Sequence, residues 1–319
     1  MTQLVTGGAG FIGSNLVRRL VAVGEQVRIL DDLSTGSMAN LADFRNDVEV
    51  MVADVRDPVA LRTATQGAEI VYHLAALGSV SRSIADPATT HAVNATGTLN
   101  VLDAARRAGV RRVVYASSSS VYGDTLTLPK HEAMPALPNS PYAVTKLTGE
   151  AYCRAFARSF GLETVSLRFF NVFGPRQDPH SHYAAVIPAF ASRLLAGDRP
   201  VVFGDGTQSR DFTFVANAVE ACVLAAQAGS AAAGEAMNVG CGSRTSLLDL
   251  LDALGSLVGV RPEPVFRPPR VGDVMHSEAA IHKAGRLIGY RPVVGVEEGL
   301  AETTRWMAAE MRVGGGVSQ

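Results

Sequence analysis

Along the first half of the chain, short unbroken apolar runs alternate with stretches in which apolar residues recur every three or four positions. Gln3–Thr6 reads as a strand, and the helix expected over 11–23 carries Ile12, Leu16, Leu20 and Val21 on one face. Further strands are expected at Gln26–Leu30, Val48–Val52, Ile70–Leu74, Val113–Ala116 and Thr164–Phe169, with helices at Val59–Thr65, 91–108 and 142–159 between them. These strands are apolar throughout rather than alternating, as strands covered on both faces are. The pattern predicts an α/β protein built on a doubly wound parallel sheet.

Beyond residue 171 the pattern loosens. Pro175, Pro179, Pro188 and Pro200, with Gly204 and Gly206, break it into short pieces before helices recur at 216–228, 246–258 and 297–310. Two lobes are expected: residues 1–170, and a smaller mixed α/β lobe over 171–319. The chain is expected to return to the first lobe near 212–238.

Charge and composition narrow the class. The 319 residues carry 29 basic and 30 acidic side chains, without a basic stripe, so a nucleic-acid partner is not expected. Cys153, Cys222 and Cys241 are scattered, which argues against a disulfide framework and a zinc site, and no metal is expected. No apolar run reaches membrane-spanning length, and residues 3–13 lack the basic lead of a targeting segment. The expectation is a cytoplasmic protein without a membrane partner.

Chemistry enters at residues 4–13, L-V-T-G-G-A-G-F-I-G, between the first strand and the first helix. Gly7, Gly10 and Gly13 permit a tight turn, close approach of backbone N–H groups to a pyrophosphate, and packing of helix on strand. Asp31 ends the second strand, where a carboxylate accepts hydrogen bonds from an adenosine ribose and repels a 2′-phosphate. NAD is therefore expected rather than NADP, with Asp32 able to share the task. Asp54 either meets an adenine amino group or caps the helix beginning near Pro58. Leu74, Ala75 and Ala76 place small side chains at the sheet edge where ligands of such sheets lie.

Residues 140–146, S-P-Y-A-V-T-K, put Tyr142 and Lys146 four apart, hence on one helical face. An ammonium beside a phenol is expected to draw its pKa from about 10 towards neutrality, making a general base for a sugar hydroxyl. The run Ser117–Ser120, at the end of the adjacent strand, offers a second hydroxyl.

With G-G-A-G-F-I-G, H-L-A-A, S-S-V-Y-G-D, S-P-Y-A-V-T-K, R-F-F-N-V-F-G-P-R and G-D-G-T-Q-S-R-D-F, the chain resembles over its whole length the extended short-chain dehydrogenases/reductases of the nucleotide-sugar epimerase/dehydratase group. The resemblance implies a Rossmann-type sheet with NAD bound by the glycine loop, Phe11, Ile12, Asp31, Asp32, Asp54, Val55, Leu74, Ala75, Ala76, Asn94, Ala116, Tyr142, Lys146 and Phe169. It singles out Ser118, four residues before Tyr122, as the active hydroxyl beside Tyr142 and Lys146. In related 4,6-dehydratases the next two positions carry acids; here they are Ser119 and Ser120, which cannot drive elimination. The implied reaction is 4-epimerisation of a nucleotide sugar through a transient 4-ketose.

On the same resemblance, Arg210 and Arg270 bind the diphosphate, Asn171 contacts the nucleotide sugar, and Ala185, Val186 and Phe203 line the uridine. Gly78, Ser79, Ser119 and Gln177 line the sugar pocket. Ser277, four residues past Asp273, occupies a gate position where glucose/galactose-restricted epimerases carry a tyrosine. A serine there leaves room for an N-acetyl group, so UDP-N-acetylglucosamine is the expected substrate and UDP-glucose is not excluded. His276 is read as structural. Helices 91–108 and 142–159, with exposed apolar positions such as Leu102 and Phe156, resemble those pairing in a four-helix bundle in family homodimers. The alternatives are epimerisation of UDP-glucuronate, with Arg82 facing its carboxylate, or a silent NAD-binding sensor.

Overall fold

The protein is described by a computed structural model covering residues 1–179, 185–269 and 274–315. Its first half runs β1 (Thr2–Thr6), α1 (Phe11–Ala22), β2 (Gln26–Asp31), β3 (Val48–Val52), α2 (Pro58–Thr65) and β4 (Ala68–His73). Then come α3 (Val80–Ala85), α4 (Pro87–His91), α5 (Gly97–Arg107), β5 (Arg112–Ser118), α6 (Pro141–Phe160) and β6 (Glu163–Phe169). The second half runs β7 (Val172–Phe173), α7 (Val186–Leu195), β8 (Val201–Phe203), β9 (Ser209–Arg210), β10 (Thr213–Phe214), α8 (Val215–Gln227) and β11 (Glu235–Val239). It closes with β12 (Thr245–Ser246), α9 (Leu247–Val258), β13 (Val265–Arg267), α10 (His282–Ile288) and α11 (Val296–Gly315).

Seven parallel strands form the central sheet in the order β11-β6-β5-β4-β1-β2-β3. The chain winds outward from β1 in one direction through β2 and β3, then in the other from β4. Between β1 and β4 the order reverses, and the loops leaving their carboxyl ends part there to open a crevice. Both faces are covered: Val5 and Ile29 point into the cluster under α1 and α8, whereas Leu4 and Leu30 point into the one under α5 and α6. Apolar residues at successive positions therefore reflect burial on both sides.

The segment near 212–238 supplies α8 and most of β11, which pairs with β6 as the seventh strand. Arg112, 1% exposed, joins the sheet to α8 by donating to the carbonyls of Ala225, Ala226 and Ala228 at the helix end. In the second half, β7 pairs with β10 and β8 with β13 in parallel, and β9 with β12 antiparallel.

Several elements depart from the periodicity reading. Helix 91–108 is interrupted by a wide π turn at Ala92–Thr96 before α5. Helix α7 forms despite Pro188, which sits in the first turn, where a missing N–H removes no intrahelical bond. Helices α3 and α10, at six and seven residues, are too short to show a period. Leu102 and Phe156, expected to be exposed, are 0% and 7% exposed and pack inside the chain. The large apolar side chains that α6 leaves open are Val144 and Phe160.

Candidate active site

A cleft of about 1080 Å³ opens at the carboxyl ends of the strands, along the crevice between β1 and β4. Gly7, Gly10, Phe11, Ile12 and Gly13 border it, together with Asp31, Asp32, Val55, Leu74, Ala75, Ala76, Ala116 and Phe169. Gly78, Ser79, Ser118, Ser119, Tyr142, Lys146, Asn171, Gln177, Arg210 and Ser277 line it as well.

The glycine loop is shaped by close approach. Gly7 has φ +73°, and a Cβ there would lie 2.6 Å from the Ala75 nitrogen; at Gly13 it would lie 2.0 Å from the Gly7 carbonyl oxygen. Helix α1 begins at Gly10 without a side-chain cap, so its first-turn N–H groups face the cleft as an anion-binding end. Asp31, 6% exposed, accepts hydrogen bonds from the backbone of Ala9 and Leu33, both at 2.9 Å, holding that loop against the end of β2. Burial raises its pKa above the usual carboxylate value, and the two N–H donors oppose the shift. Asp32, exposed at the rim, accepts from Ser34. An uncapped helix start, a cradle that no side chain fits and a carboxylate at the second strand end suit the diphosphate and ribose of NAD.

Tyr142 and Lys146 lie one turn apart in α6. This helix is capped by the Ser140 side chain, which accepts from the Ala143 N–H, enters through Pro141, and ends at Gly161 in the left-handed conformation. Gly149 lets it press onto β5, since a Cβ there would lie 2.2 Å from the Tyr115 hydroxyl. The Lys146 ammonium sits 5.9 Å from the Tyr142 ring centroid and 5.2 Å from that of Tyr115. Ser118, the cap of a short turn over Ser119–Tyr122, accepts from the Ser120 N–H at 3.1 Å. The Ser120 hydroxyl is buried with no partner among the described residues.

The expected depression of the phenol is not what this environment produces. Burial pushes the Tyr142 phenol above its ordinary value, and a hydrogen bond with Ser118 pulls the other way. Lys146 is itself pushed down to about 8, because burial penalises its charged form more than nearby Cys153 and Glu150 support it. At Tyr142 desolvation outweighs the Ser118 hydrogen bond, so the folded environment favours the phenol form.

Other expectations are relocated. Asp54 does not line the cleft; it forms a forked ion pair with Arg56 at 2.6–3.0 Å, and the cap of α2 is Asp57. Asn94 lies behind the wall in the π turn, donating to the Leu77 carbonyl and the Thr145 hydroxyl while accepting from the Leu77 N–H. Ala185, Val186 and Phe203 are absent from the lining among the described residues. Arg270 and Asp273 lie outside the described residues. His276 has a partner, the Ser209 hydroxyl at 2.8 Å.

Elsewhere in the cleft lining, Asn171, held at φ +35°, donates to the Asp211 carbonyl at 2.9 Å and to the Ser277 hydroxyl at 3.2 Å. Arg210 donates to the Met275 carbonyl. Asp211, fully buried, accepts from the N–H groups of Cys241, Gly242 and Ala279 at 2.7, 3.0 and 3.0 Å, tying three segments together behind these residues. Burial raises its pKa to about 6 against those three donors.

Sequence reasoning missed Asp211, Glu150, Lys130 and Arg176. Glu150 follows Lys146 by four positions, a spacing that marks the same helical face. Lys130 and Arg176 line the cleft from loops, where periodicity carries no signal.

The chain belongs to the NAD dependent epimerase/dehydratase family, which it matches over residues 3–240. It is an NAD-dependent isomerase. The UDP-glucose 4-epimerase of Mycolicibacterium smegmatis is 43% identical over 310 residues, 96% of this chain and 98% of that protein. The structure of Thermotoga maritima UDP-glucose 4-epimerase with UDP-glucose superposes with a TM-score of 0.93 at 36% identity, covering 98% of this chain and 100% of that one. The UDP-N-acetylglucosamine 4-epimerase of Methanobrevibacter ruminantium M1, in complex with UDP-N-acetylmuramic acid, superposes with a TM-score of 0.93 at 37% identity, covering 97% and 99%. Among the described residues no helix is long and apolar enough to cross a membrane, and no cluster of potential metal ligands occurs.

Proposed function

We propose that the protein is a 4-epimerase of UDP-sugars, interconverting UDP-N-acetylglucosamine with UDP-N-acetylgalactosamine and also accepting UDP-glucose and UDP-galactose. The observation that carries this reading is one cleft lined by Ser118, Tyr142 and Lys146, with serine rather than an acid at positions 119 and 120. The glycine loop and Asp31 would hold NAD, which when bound would supply a reversible hydride acceptor beside the sugar carbon. Tyr142 first loses its phenol proton to solvent; the phenolate, supported by the Lys146 ammonium, then takes the C4 hydroxyl proton, becoming a phenol, and later returns it, while Ser118 orients that oxygen. Without a carboxylate at 119 or 120, elimination of water from the sugar has no acid–base pair there.

The small Ser277, lining the cleft and 8% exposed, supports the acetamido substrate, because a larger side chain would fill that volume. In this reading residues 1–170 with the return segment hold NAD, and 171–319 hold the nucleotide sugar. A cytoplasmic homodimer through α5 and α6 completes it, supported by exposed Val144 and Phe160 on α6.

Incubation with UDP-N-acetylglucosamine, UDP-glucose and UDP-glucuronate, with chromatographic resolution of the products, tests the reading. The expected product is UDP-N-acetylgalactosamine. No C4 epimer from any of the three would overturn the assignment, and conversion of UDP-glucuronate alone would redirect it.

A further inference from the structure

Behind the cleft lies a buried polar chain that the reaction as written does not use. Ser117 donates to Glu150 Oε1 at 2.5 Å, and Arg168 grips the same carboxylate through Nε at 2.8 Å and Nη2 at 2.7 Å. The Arg168 guanidinium lies 4.8 Å from the Tyr122 ring centroid, and the Tyr122 hydroxyl donates to Asn238 Oδ1 at 2.6 Å. Ser117, Glu150 and Arg168 are 3%, 8% and 6% exposed.

An ion pair taken out of water contributes little net stability over apolar side chains of the same shape, because desolvation offsets the Coulomb attraction. What this pair does contribute is position and charge. Ser117 sits between Ala116, whose carbonyl receives the Lys146 ammonium, and Ser118. A carboxylate holding Ser117 from α6 therefore fixes the strand end that presents Ser118 to Tyr142. Glu150 is also one turn beyond Lys146 on the same helix, and is the carboxylate whose charge acts on that ammonium.

We propose that Glu150 is a positioning residue for the reaction: held by Arg168, it locks Ser117 and keeps Lys146 an ammonium at working pH. This inference rests on the assignment of Ser118, Tyr142 and Lys146 as the reacting set. The groups facing Lys146 are Tyr142, Glu150 and Cys153 from α6, Tyr115 from β5 and His73 from β4, with Arg168 of β6 reaching it only through Glu150. His73 is neutral, since burial pushes it down to about 3, and Tyr115 and Cys153 are pushed up by burial. Among the described residues facing the ammonium, Glu150 is then the carboxylate.

The test compares Glu150→Gln, Glu150→Asp and the double variant Glu150→Gln/Arg168→Gln, which leaves no unpaired buried charge if the single change fails to fold. In Glu150→Gln and in the double variant, the alkaline limb of kcat is expected to move down by about one pH unit or more. At pH 8.5 kcat should drop about tenfold, with KM for the UDP-sugar and NAD content unchanged. Glu150→Asp, which keeps the charge, should retain the wild-type limb.

A merely structural role predicts the reverse order, with isosteric Gln tolerated better than shortened Asp. That order, or an unmoved limb in both Gln variants, overturns the proposal. A substrate-free measurement separates this failure from failure of the epimerase reading. The stability gap between the protein and its Lys146→Met variant should begin to change at a lower pH in the Glu150→Gln background, whichever sugar is turned over. An unchanged onset also overturns the proposal.

Discussion

The Lys146 ammonium donates to the Ala116 carbonyl at 2.7 Å, pinning the second turn of α6 to the end of β5. Two residues beyond Ala116 stands Ser118; one turn before Lys146 stands Tyr142. With the Glu150–Ser117 bond and the Gly149–Tyr115 contact, this bond brings the serine and the tyrosine, 24 positions apart, to one place.

Tyr142→Phe removes the hydroxyl proposed to exchange a proton with the substrate and leaves the ring's packing. Turnover of the best UDP-sugar should drop by about 10²–10⁴-fold, the range that one general acid–base contributes. NAD recovered from the denatured protein should stay at the wild-type stoichiometry. Unchanged turnover would remove Tyr142 from the mechanism.

Lys146 also leaves a signature in stability. Its folded value of about 8 lies below the ordinary 10.5, so between those values the unfolded chain binds more protons than the folded one. The burial penalty is therefore complete below pH 8 and is relieved as pH rises towards 10.5. Relative to Lys146→Met, the wild-type protein should gain up to about 3 kcal/mol of unfolding free energy across that window. Denaturant melts at pH 7, 9 and 10.5 measure it, and a gap that narrows in the opposite direction would refute the sign.

Gly7→Ala forces a β-carbon against the Ala75 backbone in a left-handed conformation that L-residues adopt at a cost of about 1–2 kcal/mol. A melting midpoint several degrees lower and loss of copurifying NAD are expected, by calorimetry and by cofactor release.

Asp211→Asn replaces one of two acceptor oxygens by an amide that faces N–H donors. One or two backbone groups then lose their partner, at about 1–3 kcal/mol each. Because Asp211 ties together the segments behind Asn171 and Ser277, KM for the UDP-sugar should rise together with the loss of stability. Wild-type KM with lowered stability would confine Asp211 to folding.

Ser277→Tyr tests the substrate reading directly. A phenol in place of the serine fills the pocket wall, so turnover of UDP-N-acetylglucosamine should fall at least about tenfold while UDP-glucose is retained. Equal effects on both sugars would show that this wall does not select the C2 substituent.

Much of this protein is legible without coordinates, for a physical reason. Strand and helix periods, the glycine loop, Asp31 at the end of β2, and Tyr142 with Lys146 on one helical face are local, encoded within a few residues and independent of what packs nearby. The parallel sheet and the pairing of Tyr142 with Lys146 followed from such patterns, whereas Ser118 was singled out by the family resemblance. Packing across long separations decided the rest. Asp54 and Asn94 were drawn away from the cleft by Arg56 and by Leu77 with Thr145, and Leu102 was turned inward. Glu150 met Arg168 and Ser117 from three different elements, and no periodicity records such a meeting. Above all, the balance of charge at Tyr142 and Lys146 depends on burial, which belongs to the folded surroundings of a residue. A spacing of four brought the two groups together; only the dry interior determined that Tyr142 rests as a phenol and that Lys146 titrates near 8.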